Sequence, residues 1–245
     1  MIARFDLIYL SFAVLLGLAG CEHRTPLTTV DVIDTSMSIT PRAEKTAFDA
    51  VAKQIDKLQR GDRLVLIPIT GDASNDSGGR ILRLSAPTVR ESYDTDLRRF
   101  REQAKKQFGA WATSLDPHQS RTDILGTLDA ARQELARSPK ESSQRLVVVT
   151  DFLEDDGTYR FVSDSSVATP ARARALGVRL LAQHGFALHG VQTCLGRLES
   201  TDFAPLSAQR KDAVRAFWEA YFAAGGKPVE IEVDGASVLA DAENR

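Results

Sequence analysis

Residues 30–40 read VDVIDTSMSIT: a β-branched apolar run stops at Asp34, and Ser36 and Ser38 follow at alternate positions. Two other junctions carry the same donor types. Thr122-Asp123 stands in SRTDILGTLDAA, and Thr150-Asp151 closes the apolar run RLVVVTDF. A hydrophobic core has no use for a carboxylate and two hydroxyls at that spacing, whereas an all-oxygen donor set suits a hard cation. Mg²⁺ takes six oxygens at about 2.0–2.1 Å and keeps several of its waters. Hydroxyls are neutral, so only Asp34 and Asp151 would offset the charge. A cation so held stays electrophilic toward one more anion, such as a carboxylate on another protein. The metal-free alternative has Ser36 and Ser38 capping a helix while Asp34 bonds loop amides.

These groups must be positioned by an alternation of strands and helices. TTVDVI (28–33) reads as a first strand, and Thr40-Pro41 as an N-cap followed by proline at the first helical position. Phe48, Val51, Ile55 and Leu58 recur at helical steps, and Gly61 ends that helix. DRLVLIPIT (62–70) predicts a strand buried on both faces, 71–79 a loop, and RILRL (80–84) a short edge strand. Leu97, Phe100, Ala104, Phe108, Trp111 and Leu115 form one stripe of a helix over 96–115. Its other face carries Arg98, Arg99, Arg101, Lys105 and Lys106, read as a solvated face before a patch for an acidic partner.

Further helices are expected at 123–137, 170–184 and 206–224, with strands at 145–150, 186–193 and 229–233. The fold class is therefore α/β: one Rossmann-like, doubly wound, mostly parallel six-stranded sheet flanked by helices. In such sheets functional groups collect past the carboxyl ends of the strands, where all three polar junctions fall.

DTSMS has the D-x-S-x-S form of the metal-ion-dependent adhesion site, and the chain from about Thr28 to Val233 resembles a von Willebrand factor A domain. The resemblance implies a metal held by Asp34, Ser36, Ser38, Thr122 and Asp151. It implies Mg²⁺, with Mn²⁺ or Ca²⁺ as substitutes, and a protein partner that supplies an Asp or Glu. Two departures stand out. The segment between Ser38 and Thr122 is long for the family, and Phe152 stands where a glycine often follows the third aspartate.

Other chemistries fit less well. A haloacid-dehalogenase type phosphatase would use Asp34 as nucleophile, but position 36, where a second aspartate would act as acid and base, is Ser36. No G-x-S-x-G elbow surrounds Ser36, no P-loop is present, and His23, His118, His184 and His189 have no metal-ligand spacing. The expectation is a protein-binding module and no enzyme, with a metal-dependent phosphoesterase using Asp34 as the alternative. A net charge of −2 over 245 residues gives no general attraction to nucleic acid, and no small-molecule substrate is indicated.

The first twenty residues stand apart. An apolar run from Leu7 to Leu18 is too short to span a membrane and fits the core of a signal peptide. LAGC (18–21) resembles the lipobox of bacterial lipoproteins, which implies cleavage after residue 20 and a lipid on Cys21. The expected organisation is a signal peptide at 1–20, a tether at 21–27 and the domain at 28–245. Glu22 is not the aspartate associated with inner-membrane retention, which favours the outer membrane and a periplasmic domain. Six extended tether residues reach about 20 Å, so the domain sits close to the lipid with the metal loop at the far end of the first strand. Cys194 is expected to be a core thiol at the end of a strand.

Overall fold

The structure is a computed structural model that describes residues 24–71, 80–89, 95–116, 118–184, 188, 190–223, 229–232 and 234–241. The expected signal peptide, Cys21, and the start of the tether lie outside them. Among the described residues no helix is long and apolar enough to cross a membrane.

The strands are β1 (Leu27–Asp34), β2 (Arg63–Ile69), β3 (Leu82–Ser85), β4 (Ser143–Thr150), β5 (Val191–Arg197) and β6 (Ile231–Glu232). The helices are α1 (Pro41–Lys57), α2 (Thr95–Ser114), α3 (Ile124–Ala136), α4 (Pro170–His184), α5 (Ala208–Tyr221) and α6 (Gly235–Asp241). One sheet runs in the order β3-β2-β1-β4-β5-β6, parallel throughout except for the antiparallel edge pair β2–β3. This is the expected doubly wound architecture.

The residue pattern explains the two layers. Alternate strand positions face opposite sides. Val30, Val32, Val65, Ile67, Leu146 and Val148 pack with Ile124, Leu128, Leu176 and Phe217 of α3, α4 and α5. Ile33, Leu64, Leu66, Val147 and Val149 pack on the other side with Val51 and Ile55 of α1, Phe108 and Trp111 of α2, and Val238 and Leu239 of α6. Local chemistry starts the helices where expected. The Thr40 hydroxyl accepts the Ala43 N–H at 3.3 Å before Pro41, and Ser207 accepts the Arg210 N–H at 3.2 Å ahead of α5.

The basic face of α2 is partly used inside the fold. Arg101 donates two bonds to the Leu58 carbonyl just past the end of α1, and Lys105 pairs with Asp56 at 2.5 Å.

Two expectations, the bounds of the fifth strand and the setting of Cys194, need correction. The strand placed at 186–193 is Val191–Arg197, because Gly190 takes a positive φ of 79° and the Val191 N–H closes a turn onto Leu188. Cys194 therefore sits inside the strand and is only partly buried, against the α6 side. Helix α6 carries no strong sequence signal in seven residues, yet Val238 and Leu239 close the sheet. The chain just ahead of residue 28 is also fixed in place. Asp62 accepts bonds from both Arg24 guanidinium nitrogens (2.8 and 3.2 Å), from the Leu27 N–H (3.0 Å) and from the Gln59 N–H (2.8 Å), so Arg24 to Leu27 are tied to the end of the sheet opposite Asp34.

Asp31, in the middle of β1, is fully buried and neither of its oxygens has a donor in good hydrogen-bonding geometry. Burial pushes its carboxyl up to about 7, against weaker pulls from the Gln54 amide and the Arg145 charge. An unfolded aspartate titrates near 4. Between about pH 4 and 7 the folded chain thus binds a proton that the unfolded chain has released, and stability falls as pH rises through that window. Urea unfolding at pH 5 and pH 8 in chelator is expected to show this loss, and Asp31→Asn to remove its share of the slope.

Candidate metal centre

The strand order reverses direction between β1 and β4, the switch point at which doubly wound sheets bind ligands. Register places Ile33 beside Val149, so Asp34 and Thr150-Asp151 leave the sheet side by side. Asp34 is fully buried. Its Oδ1 accepts the Ser36 N–H at 2.9 Å and its Oδ2 accepts the Thr150 hydroxyl at 2.6 Å. The Ser36 and Ser38 hydroxyls lie 3.0 Å apart, and Ser38 donates to Asp151 Oδ2 at 3.0 Å. Asp151 Oδ1 accepts the Leu153 N–H at 2.9 Å. Asp34, Ser36, Ser38 and Asp151 thus meet in one hydrogen-bonded group.

Thr122 is placed differently. Its loop docks on the first through the Met37 N–H donating to the Gln119 carbonyl at 3.0 Å. Thr122 itself is buried, and its hydrogen bonds are backbone ones to Asp155. The structure therefore sets Thr122 on the neighbouring loop, without a hydrogen bond to the other four.

Two contributors lie outside the expected ligand set. Thr150 is the residue that bonds Asp34, and its hydroxyl also accepts the Phe152 N–H at 3.1 Å. Ser200 follows the corrected β5 and is buried beside Asp151. Its loop is laced to the first: the Thr40 N–H donates to the Glu199 carbonyl and the Thr201 N–H to the Ser38 carbonyl, at 3.0 and 2.8 Å. The hydroxyl of LESTDF was visible as a signal, but only the true end of β5 makes it a site residue.

Phe152 resolves one sequence departure. Its φ is 65°, the left-handed conformation that glycine adopts most readily, so the backbone keeps the glycine-like turn while carrying a ring. The ring is buried 5.9 Å from that of Trp218, whose indole N–H donates to the Phe152 carbonyl at 2.8 Å.

The Asp34 and Asp151 carboxyls are both pushed above their ordinary range. Burial holds the Asp34 carboxyl above the usual range, against bonds from Thr150 and Ser36. Burial and then the Asp34 charge push Asp151 up to about 7, against Ser200, the Leu153 N–H and Ser38. Among the described residues no lysine or arginine forms an ion pair with either aspartate. Two neighbouring buried carboxylates with no counter-charge, joined by hydroxyl oxygens, fit a hard divalent cation. They fit nucleophilic catalysis poorly, since both Asp34 oxygens are engaged and the residue is fully buried. Next to Asp151 opens a cavity of about 200 Å³, lined by Arg197, Phe203, Lys211 and Arg215 among others.

No protein-family model matches the chain, and no curated protein is significantly similar to it. Solved structures do resemble it. The pilus adhesin SpaC from Lactobacillus rhamnosus GG, in an open conformation, shares 12% identity with a TM-score of 0.51, over 91% of this chain and 30% of the adhesin. A von Willebrand factor type A protein from Catenulispora acidiphila is 21% identical with a TM-score of 0.46, covering 89% of this chain and 41% of that one. An aerotolerance-related membrane protein from Bacteroides fragilis is 16% identical with a TM-score of 0.44, over 89% and 96%. The strand order and the match to the adhesin establish the fold, that of the von Willebrand factor A domain.

Truncating the ring next to the site tests how the third loop is held. Phe152→Ala keeps the left-handed backbone without the burial that compensates it, and is expected to cost about 3–5 kcal/mol in urea unfolding.

Proposed function

We propose that the chain is a metal-dependent protein-binding module of the bacterial envelope, anchored to its membrane by lipid on Cys21. Asp34, Ser36, Ser38, Thr122 and Asp151 would hold Mg²⁺, with Mn²⁺ or Ca²⁺ able to replace it. The bound cation would supply one electrophilic position for a carboxylate oxygen of the partner's Asp or Glu. The observation that carries this reading is the pair of buried, uncompensated carboxylates at the switch point, bridged by two serine hydroxyls.

The chain's own residues do the rest. Thr150 and the Ser36 N–H hold the Asp34 carboxylate in place, and Ser200 and the Leu153 N–H do the same for Asp151. Met37 is 57% exposed on the first loop, an apolar contact at the rim for a docking protein. The adjoining cavity, lined by Arg197, Lys211 and Arg215 together with Asp151, Asp212 and Glu232, adds a polar rim of mixed charge. The same fold in a pilus adhesin is a precedent for such use. With Arg24 to Leu27 tied down by Asp62, only Glu22 and His23 would separate the lipid-bearing residue from the folded body. The site would then face the periplasm, away from the lipid.

The test has two readouts. Calorimetric titration with Mg²⁺ is expected to show a site that Asp34→Asn abolishes. Crosslinked capture from membranes is expected to give a partner in Mg²⁺ that is absent in chelator and with Asp34→Asn. Metal-independent capture, or turnover of a generic phosphate ester lost in that variant, would reject this reading.

A further inference from the structure

The loops beyond the metal centre hold a second group of carboxylates that the centre does not use. Asp123 is the N-cap of α3, while Glu154 and Asp156 lie in the loop after β4. These two loops are zipped together by a backbone bridge, the Thr122 N–H to the Asp155 carbonyl at 3.2 Å and the Asp155 N–H to the Thr122 carbonyl at 2.9 Å. One carboxylate oxygen from each of Asp123, Glu154 and Asp156 lies within 4.8 Å of the others.

Acidic groups often cluster on surfaces, but Glu154 is not on the surface. It is fully buried, with Oε2 accepting the Leu125 N–H at 3.1 Å in the first turn of α3. Its other oxygen, Oε1, is buried with no partner. The helix terminus, through the Leu125 N–H and more weakly the Ile124 N–H, serves Glu154 yet leaves Oε1 with no donor in good hydrogen-bonding geometry, in a place where an unmet acceptor is costly. Burial, then the charges of Asp123 and Asp156, hold the Glu154 carboxyl well above the ordinary range. Among the described residues no lysine or arginine forms an ion pair with Glu154 or Asp156. Asp156 is held for its task by an Asx turn, its Oδ1 accepting the Thr158 and Tyr159 N–H groups at 2.7 Å each.

We propose that Asp123, Glu154 and Asp156 form a second divalent-cation site, of the Ca²⁺ class, joining the loop of Thr122 to the loop that follows Asp151. Ca²⁺ accepts several carboxylates in irregular geometry, whereas Mg²⁺ is usually held by one or two and keeps its waters. Oxygens bound at about 2.4 Å lie up to about 4.8 Å apart across the ion, a spread the three groups already satisfy. The cation supplies the orphaned Glu154 oxygen with its missing partner and replaces like-charge repulsion with attraction. Through the Thr122–Asp155 bridge, its occupancy holds Thr122 in place. The site depends on its own donors and not on a metal at Asp34.

The test uses Ca²⁺ alone and the full chain, following thermal unfolding in an Asp34→Asn background so that the first centre does not contribute. Ligand linkage predicts a saturable rise in Tm with Ca²⁺. Adding Glu154→Gln or Asp156→Asn is expected to abolish that rise. Both amides retain an acceptor for the N–H groups now bonded, so each double variant should melt in chelator no lower than its parent. Absence of a Ca²⁺ response in Asp34→Asn, or an undiminished response in either double variant, overturns the proposal. Calorimetry on the wild-type chain separates this from the first centre. If only one ion binds, Glu154→Gln removes it should the second site be real, and Asp34→Asn removes it should the second site be absent.

Discussion

Parallel pairing of β1 with β4 is the constraint on which the rest of the molecule depends. It is a long-range contact, between residues more than a hundred positions apart, and it is made by β-branched and aliphatic side chains buried on both faces. Because the two strands run the same way in fixed register, their polar ends must emerge together. A hydrophobic register thereby places two carboxylates where neither would choose to be alone. The Thr150–Asp34 hydrogen bond converts that register into a side-chain contact. The loops after β1, β4 and β5 are then stitched through Ser38, Asp151 and Ser200, so the strand pairing sets the geometry of the polar group above it.

The polar group is held from below by apolar material. Phe152, Phe161, Phe217, Trp218 and Tyr221 pack ring against ring directly beneath the third loop. A left-handed residue in that loop would be unfavourable in isolation, and the burial of its ring in this cluster offsets the cost. The Trp218 indole adds a bond to the same carbonyl. Rigid loops preset the positions of the oxygens they carry.

Much of this was legible in the sequence, and the misses have physical causes. Val30 to Ile33 and Leu146 to Val149 read as buried strands because parallel strands are apolar on both faces. Thr40-Pro41 announced α1 because capping is a local interaction. β5 was misplaced because an apolar run before Gly190 mimics a strand, while the positive φ of Gly190 breaks it. Helix α6 gains its stability from Val238 and Leu239 meeting a sheet formed elsewhere, so seven residues alone carry little of the signal. The junctions at Asp34 and Asp151 could be named because each ends a strand. The closeness of Asp123 to Glu154 could not, since it depends on a bridge between two loops about thirty residues apart.

The Asp62 clamp has a mechanical consequence. Arg24 and Leu27 are fastened at one end of β1, and Asp34 lies at the other. Tension applied between a ligand at Asp34 and a fixed point ahead of Arg24 runs along the axis of this central strand. Such a load does not peel β1 away one bond at a time. It shears the strand against β2 and β4 together, sharing the force across both ladders, with the sheet flanked on both faces by helices. A load along that line therefore meets both ladders at once.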